Sequence, residues 1–380
     1  MTKISNITVA ISSAYHDRGI TVLDNGKLID IILEDRISRK KYDYYFPLSS
    51  LNVLKSKYPK IDKIILVNCY DNIEYKTIIQ QIRKLEFNCN EIVIGKAGDH
   101  HVYHAVAGFC SSNFDEATVL VIDGFGGVQH LKVPHPTETD NKLRGVTSTS
   151  IWNISYKEGI TKEYSKIQYT PTEDKPITDY VIDELKENKD EWSPTPDIGV
   201  MYTTVGNHLG FPHVNDAGKV MGLSSYGEEN NLPSFLWKDT IECNHALIKN
   251  NYSLYVKHYP EFIVNNEQTY KNIAHNIQKS YEKVLFARVE QALSLSKSNN
   301  LIFTGGCALN VIGNYLLKKR YPDINLYIDP IANDSNQSLG AAKYYFYNDN
   351  GYLPKDPLNS LFLGPSYTKE EILNSIKKYA

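Results

Sequence analysis

Three histidines fall within five residues in the segment GDHHVYHAVAGF (98–109), in a chain with only 11 histidines. Apolar residues recur at helical spacing behind Asp99, which suits an N-cap, so the segment is predicted to be a helix. On that helix His100 and His104 share one face, about 6 Å apart along the axis. Two imidazoles so placed can bind one cation, or they are ordinary hydrogen-bonded histidines of a first helical turn; the segment alone leaves both open.

Two strands that end in polar turns offer further chemistry. Residues 6–36 read as three strands, with His16 and Asp17 in the first turn and an Asn25-Gly26 hairpin in the second. Residues 117–127, ATVLVIDGFGG, repeat the pattern, and Asp123 opens their turn. An Asp at a strand end can approach phosphate or metal together with backbone N–H groups. Two such units predict an internal duplication.

Three more segments have both a functional and an ordinary interpretation. FTGGCALN (303–310) is predicted as a strand that turns into a helix, a geometry that suits phosphate or ribose but is common without a ligand. Lys219, in GKVMGL, either reaches an anionic group or is a solvated loop lysine. Asp334 precedes a predicted helix, where an N-cap is the commoner use of the residue.

The elements that must position these residues alternate as β-β-β-α-β-α-β-α up to the histidine helix. This order predicts an α/β domain with a mixed sheet. Residues 128–200 read as loops or an inserted segment, and a long helix is predicted at about 273–298. A last short helix begins at a capping box of Thr368 and Glu371.

Composition indicates a globular protein without wholesale affinity for nucleic acid or membrane. Of the 380 residues 42% are hydrophobic and 22% charged, and the net charge is −3. The five cysteines form no CxxC pair, which is typical of a reduced, intracellular protein. No apolar run of 18 residues exists, so we expect a cytoplasmic protein that does not enter membranes.

Seven segments spread over almost the whole chain form a recognisable series. They are AYHD (14–17), EDRISRKKYD (34–43), DHHVYHA (99–105), VIDGFG (121–126), GKVMGLSSYGE (218–228), GGCALN (305–310) and IDPIANDSNQSLGAA (328–342). In this order they resemble the NodU/CmcH family of O-carbamoyltransferases, to which tobramycin carbamoyltransferase belongs. The resemblance implies an actin/Hsp70/sugar-kinase (ASKHA) α/β fold, with two ribonuclease-H-like lobes of mixed sheets and a nucleotide between them.

The resemblance implies a transferase reaction. In this family carbamoyl phosphate and ATP give carbamoyladenylate, and its carbamoyl group passes to an acceptor hydroxyl near an iron-type metal. We therefore expect a divalent metal, Fe(II) first with Mn(II) or Zn(II) as alternatives, and an acceptor that is a small molecule or a nucleoside. The sequence does not name the acceptor.

The resemblance also assigns residues by position. His16 is expected to be the general base that takes the acceptor proton. The implied metal ligands are His100, His104, Asp123 and Asp334. His101 is expected to point elsewhere, as support. The implied nucleotide contacts are Gly124, Gly126, Lys219, Gly305, Gly306 and Asn310.

Domain boundaries follow from the same resemblance. We predict a first lobe at 1–116 and a second at 117–345, with an insertion around 128–200. Residues 346–380 are expected to start a linker to a YrdC-like domain, which makes carbamoyladenylate in the family. The sequence stops there, so we expect a separate YrdC-like protein to supply that half-reaction, unless the chain is a fragment or its activity has changed.

Three positions depart from the family pattern. Gly127 stands where the family usually has Glu after the DGxG turn. Gly19 replaces a small hydroxyl residue in the first turn, and Asn336 replaces a common glycine in the loop of Asp334.

Other functions remain open at this stage. Threonylcarbamoyl transferases that act on tRNA share the fold, the histidine pair and an adenylated donor, although the segments at 34–43 and 218–228 match the O-carbamoyl branch. A sugar kinase has no need of the histidine pair. The non-enzymatic alternative is a catalytically silent, nucleotide-binding partner protein.

Overall fold

Two mixed β-sheets organise the chain. The structure is a computed structural model that describes residues 6–13, 16–41, 43, 46–67, 75–132, 142–169, 189–249, 253–364 and 366–379. The first sheet has the strand order β3-β2-β1-β4-β5. Its strands are β1 (Ile7–Ser12), β2 (Gly19–Asp24), β3 (Lys27–Leu33), β4 (Lys60–Val67) and β5 (Asn88–Ile94). Between them lie α1 (Glu34–Ser38), α2 (Leu48–Lys57) and α3 (Tyr75–Lys84), and α4 (His100–Ser111) follows.

The second sheet has the order β10-β9-β8-β6-β13-β14, with β7 paired to β8. Its strands are β6 (Glu116–Ile122), β7 (Val128–Lys132), β8 (Lys142–Ser155), β9 (Gly159–Tyr169), β10 (Asp190–Ser193), β13 (Asn300–Thr304) and β14 (Asn325–Ile328). The short pair β11 (Ile248–Lys249) and β12 (Ser253–Leu254) stands apart. The remaining helices are α5 (Ile198–His208), α6 (Ala217–Ser224), α7 (Glu267–Ser294), α8 (Val311–Arg320), α9 (Gln337–Asn350) and α10 (Lys369–Tyr379).

The second sheet repeats the topology of the first. In the first sheet β1 is antiparallel to β2 and parallel to β4, while β2 pairs antiparallel with β3 and β4 parallel with β5. In the second sheet β6, β8, β9, β13 and β14 have the same order and the same directions. The predicted α/β class and duplication are therefore confirmed, with the arrangement expected for two ribonuclease-H-like lobes of the ASKHA class.

Two helices, α4 and α9, fill the space between the sheets. One hydrophobic core joins Ala10 and Ile65 of the first sheet, Val106 of α4, Val119 of the second sheet and Ala341 of α9. A second core lies on the outer face of the second sheet under α5, α6 and α7, and a third on the outer face of the first sheet under α2 and α3. Helix α9, which begins in the predicted second lobe, packs on β1 and β2 and covers one face of the first sheet. The boundaries at 116 and 345 stay predictions.

The prediction of loops in residues 128–200 was wrong for much of that segment. Strands β8 and β9 are long; β8 pairs with β6, and β9 pairs with β8 inside the second sheet. The alternation of apolar and polar residues is missing because β8 buries four consecutive polar residues, Thr147 to Ser150. Residues 133–141 and 170–188 of the predicted insertion lie outside the described residues.

Other expectations from the sequence have mixed outcomes. The long helix begins earlier than predicted, at Glu267, and the capping box is confirmed, since Thr368 and Glu371 exchange backbone-to-side-chain hydrogen bonds. The four described cysteines are free thiols, and Cys69 lies outside the described residues. Among the described helices, none combines the length and the apolar character that crossing a bilayer requires. The cytoplasmic location stays a prediction.

The contact of α4 with α9 requires a glycine, and this generates a stability prediction. A Cβ on Gly340 would lie 1.8 Å from the carbonyl oxygen of Tyr103. We expect Gly340→Ala to lower the free energy of unfolding by roughly 2–4 kcal/mol, because the two helix backbones must separate. Urea denaturation of the full chain measures the change.

The matched control is Gly222→Ala in α6, where a Cβ has no neighbour within 4 Å. Helix propensity alone predicts a change of at most about 1 kcal/mol there, on the stabilising side. Equal stability of the Gly340→Ala variant and the wild type would contradict the close packing.

Candidate metal centre

The carboxyl ends of three neighbouring parallel strands build one side of the site. Strand β6 leads into Asp123, β13 leads into Gly305 and Gly306, and β14 leads into Asp329. The Gly306 N–H donates to Asp123 Oδ1 at 3.0 Å, and the Asp123 N–H donates to the Ser148 carbonyl at 2.9 Å. The other oxygen of Asp123 is thereby turned toward α4.

Helix α4 presents the predicted histidine pair to this carboxylate. His100 Nε2 lies 3.2 Å from Asp123 Oδ2 and 3.2 Å from His104 Nε2. Both imidazoles are buried, and they contact each other as well as the carboxylate of Asp123. Asp99 occupies the N-cap position as predicted, but its side chain makes no capping hydrogen bond.

Asp334 supplies the second carboxylate. It opens a 3₁₀ turn (Asp334–Asn336) before α9 and makes no side-chain cap, in contrast to the commoner use expected for such a residue. Its Oδ1 lies 3.5 Å from His100 Nε2 and 3.4 Å from His104 Nε2. Segments more than 200 residues apart in the sequence therefore converge on one point.

The four residues fit a divalent metal ion. One ligand atom from each of His100, His104, Asp123 and Asp334 lies within 4.8 Å of the other three, and all four residues are buried. Around an ion with bonds of about 2.1 Å, tetrahedral ligand atoms stand about 3.4 Å apart, and four of the observed separations are 3.2–3.5 Å. Two imidazoles and two carboxylates suit iron, manganese or zinc.

The charges of the cluster are strongly coupled. Burial favours the neutral form of Asp123, but the hydrogen bond with His100 and the nearby imidazoles hold its pKa well below the usual value. Burial likewise opposes charge on His104, yet Asp334 and Asp123 raise the pKa of this imidazole. In the absence of a cation, protons on imidazole therefore balance the carboxylates.

His16 lies at the edge of the same cluster. Its Nδ1 is hydrogen-bonded to Asp17 Oδ2 at 2.8 Å, and its Nε2 lies 3.9 Å from Asp334 Oδ2. Asp17 has a left-handed backbone conformation, with φ of 54°. Burial lowers the pKa of His16, but Asp17, Asp334 and Asp123 outweigh burial and raise the pKa to about 9.

His101 points away from the cluster, as expected for a supporting residue. Its Nδ1 is hydrogen-bonded at 2.8 Å to Ser150 Oγ, which also accepts from Trp152 Nε1. Burial and the neighbouring His100 lower the pKa of His101 to about 3, so the ring stays neutral. Position 126 has room only for glycine, because a Cβ there would lie 2.4 Å from His101 Nε2.

The departure at Gly127 has a steric reason. A Cβ at this position would lie 1.7 Å from the Ala97 carbonyl oxygen, just before α4. The turn after β6 therefore packs directly on the start of the histidine helix. A glutamate at 127 has no room in this arrangement.

A cavity of about 360 Å³ opens beside the cluster. His16 and two of the four cluster residues, Asp123 and Asp334, form its polar end. Apolar and aromatic side chains form much of the remaining wall: Phe125, Val200, Tyr202, Val214, Met221 and Leu309. The cavity therefore combines an apolar chamber with an acidic, metal-competent end.

The predicted nucleotide contacts separate into two groups. Gly124, Gly306 and Asn310 line the cavity, although the Gly306 N–H is already bonded to Asp123. The Gly126 N–H donates to the Thr147 carbonyl, and Lys219, which is more than half exposed, pairs with Asp216 at 2.9 Å. Gly305 has φ of 90° and packs on Ile122. In this structure Gly126, Lys219 and Gly305 thus have structural partners, and their contact with a nucleotide stays a prediction.

Sequence reasoning missed the buried polar residues behind the site. Gln278 of α7 accepts hydrogen bonds from Tyr202 and from Asn310. Asp197 caps α5 and accepts from Ser148 and Thr149 of β8. Of these residues, only Asp329 could have been found from the sequence, because it directly follows a strand, as Asp123 does.

Comparison with known proteins gives one family match. A family model described as carbamoyltransferase N-terminus matches residues 48–343. The uncharacterized protein sll1178 of Synechocystis is 22% identical over 97% of this chain and 62% of its own length. The nodulation protein NolNO of Sinorhizobium fredii is 20% identical over 92% of this chain and 49% of its own length. The chain thus spans about half to three fifths of these curated relatives.

Similar solved structures have low sequence identity. Component A of the Acidaminococcus fermentans (R)-2-hydroxyglutaryl-CoA dehydratase is 14% identical, with a TM-score of 0.46, over 90% of this chain and 98% of that chain. HypF of T. kodakarensis is 12% identical, with a TM-score of 0.47, over 93% of this chain and 49% of that chain.

Metal binding is the first testable consequence of the cluster. We expect the chain, dialysed against chelator and reloaded, to bind about one equivalent of Fe(II), Mn(II) or Zn(II), and the His100→Ala/His104→Ala variant to bind none. Metal analysis after gel filtration measures the ratio. A variant at two histidines outside the cluster, His208→Gln/His275→Gln, serves as the control. Metal-free wild type after reloading would contradict the assignment.

The protonation of the metal-free cluster gives a pH prediction. The pKa of His16 is raised to about 9 from an ordinary 6.5, so its stabilising contribution is complete below pH 6.5 and is lost as the pH rises through 9. His104 acts in the same direction. Urea denaturation in chelator is expected to show a loss of up to about 3 kcal/mol from His16 over this range. The slope should be smaller in His16→Gln, and an equal slope would refute the assignment to His16.

Proposed function

The chain belongs to the carbamoyltransferase N-terminus family, and from that premise we propose that it transfers a carbamoyl group from carbamoyladenylate to an acceptor hydroxyl. The observation that carries the proposal is that His16 lines one end of a single cavity together with Asp123 and Asp334, the two carboxylates of the four-residue metal cluster. A group able to hold a proton and a site able to hold a cation thus face the same space.

The shape and polarity of the cavity support this donor. Carbamoyladenylate has a flat purine at one end and an anionic, electrophilic group at the other. The walls formed by Tyr202, Val214 and Met221 suit the purine, and the polar end at Asp123 and Asp334 suits the reacting group once a cation offsets the carboxylates.

His100, His104, Asp123 and Asp334 would hold the metal. A divalent cation bound there supplies Lewis acidity that polarises the carbamoyl carbonyl. The chain orients its own ligands: the Gly306 N–H fixes one oxygen of Asp123, and α4 sets the spacing of the imidazoles. We propose Fe(II) as the resident ion, with Mn(II) or Zn(II) as alternatives.

His16 is proposed to take the proton of the acceptor hydroxyl. Its Nδ1 is held by Asp17, so that Nε2 is the atom available toward the cavity. With a pKa of about 9 in the metal-free cluster, His16 is protonated at neutral pH and cannot serve as a base. The proposal therefore requires that the charges of Asp123 and Asp334 be balanced before His16 accepts a proton.

The proposed step is an acyl-type substitution at the carbamoyl carbon. The acceptor oxygen attacks the carbamoyl carbon, and the bond from that carbon to the phosphate oxygen breaks. AMP leaves with its phosphate oxygen, and the hydroxyl proton passes to His16 Nε2. The products are an O-carbamoyl ester, AMP and a proton that His16 returns to solvent.

The remaining partners are proposed from the family. Carbamoyl phosphate and ATP are the sources of carbamoyladenylate, and a YrdC-like domain or protein makes it. The acceptor is a small molecule or a nucleoside with a free hydroxyl. We propose that the reaction takes place in the cytoplasm.

The proposal predicts that transfer depends on His16. We expect AMP release from supplied carbamoyladenylate to rise when a hydroxyl acceptor from a panel of sugars, aminoglycosides and nucleosides is added to the metal-loaded chain. His16→Asn should lower that acceptor-dependent rate by roughly 10²–10⁴-fold. His208→Asn, which changes a histidine outside the cavity, is the control and should keep the wild-type rate. Chromatography of AMP and the carbamoylated product measures both.

Two outcomes would overturn the proposal in different ways. Transfer of a threonylcarbamoyl group to tRNA, without O-carbamoyl transfer, would favour the tRNA-modifying relatives. Binding of metal and nucleotide without transfer to any acceptor would favour a silent partner protein.

A further inference from the structure

The loop that carries Asp334 is closed by a buried carboxylate. Asp329, directly after β14, is almost completely buried. Its Oδ1 accepts the Ile331 N–H at 2.9 Å, and its Oδ2 accepts the Asn336 amide at 2.8 Å. Both ends of the segment 331–336 are thereby bound to one side chain, and Asp334 lies within that segment.

The same carboxylate binds the neighbouring strand. Thr304, the last residue of β13, donates its hydroxyl to Asp329 Oδ2 at 2.8 Å, and the Asn336 amide lies 3.3 Å from that hydroxyl. Two residues after Thr304, the Gly306 N–H donates to Asp123 Oδ1. A short path of hydrogen bonds and backbone therefore runs from the loop of Asp334 to the carboxylate of Asp123.

The side chain of Asn336 carries an energetic penalty in the folded state. Its side chain is fully buried, and its Oδ1 has no hydrogen-bond partner in the described part of the chain. An unsatisfied buried oxygen is unfavourable unless the donors of the same group make up for it. The amide nitrogen donates to Asp329 Oδ2 and lies 3.3 Å from Thr304 Oγ1, so these two contacts fix the side chain.

We propose that Asp329, Thr304 and Asn336 form a positioning lock that sets the separation of Asp123 and Asp334 for the metal ion. The inference rests on the metal centre of the proposed function and adds positioning residues that do not themselves touch the metal. Removing part of such a supporting shell typically weakens metal binding by 10–100-fold. Geometric support is also what keeps two like-charged carboxylates close together.

The test is Mn(II) affinity of the full chain, measured by electron paramagnetic resonance of free Mn(II). We expect Asn336→Ala to weaken the affinity by about 10–100-fold. The matched control is Asn153→Ala. Asn153 is likewise a buried asparagine, but it lies in β8 and bonds to Thr118 and to the Leu295 carbonyl. It should lose comparable stability and keep wild-type Mn(II) affinity.

Exchanging the amide of Asn336 and the carboxylate of Asp329 distinguishes a positioning role from a general loss of stability. Asn336→Asp places two carboxylates against each other and should weaken Mn(II) binding at least as much as Asn336→Ala. Adding Asp329→Asn restores one amide and one carboxylate in reversed positions, and should recover most of the lost affinity.

The outcomes distinguish the lock from the metal centre. Wild-type affinity in Asn336→Ala, equal weakening in Asn153→Ala, or no recovery in the exchanged pair would overturn the lock while the metal centre stands. A wild type that binds no Mn(II), Fe(II) or Zn(II) would overturn the centre and the lock together.

Discussion

The site depends on keeping two carboxylates and two imidazoles close together where water is scarce. Asp123 and Asp334 cannot both stay ionised in a buried space without positive charge nearby. These carboxylates raise the pKa of His16, to about 9, and also that of His104, so the imidazoles can supply positive charge. A cation held by His100, His104, Asp123 and Asp334 would take the place of those protons, so metal uptake would be linked to proton release.

Topology brings these charges together from distant parts of the chain. Parallel strands point their carboxyl ends to one edge, so β6, β13 and β14 place Asp123, the Gly305–Gly306 turn and Asp329 side by side. His16 lies between β1 and β2 of the first sheet, whose strand order the second sheet repeats. Helix α4 then needs only to lie against the second sheet for its histidines to reach the carboxylates. Duplication of one simple sheet thus provides most of the positioning.

Much of this arrangement was predictable, and the failures have physical causes. The spacing of His100 and His104 is a local property of a helix, so the sequence predicts it directly. Asp334 was ambiguous, because its role depends on a tertiary contact that local pattern does not contain. Strand β8 is not predicted from the sequence because its buried residues 147–150 are all polar, so the apolar alternation typical of a strand is missing. Hydroxyls of this stretch bind Asp197 and His101 in the folded protein. Lys219 is also ambiguous from the sequence: it pairs with Asp216 in the structure, and its contact with a nucleotide stays a prediction.

The position of α9 also has a consequence for biosynthesis. One face of the first sheet is covered by a helix near the end of the chain: Thr21 meets Ser338 and Lys343 meets Gly26, each across 317 residues. During translation the first five strands emerge from the ribosome long before that cover exists. Contacts of such high sequence separation slow folding, because a long loop must close before they form. The apolar residues of that face therefore stay uncovered until α9 has been made.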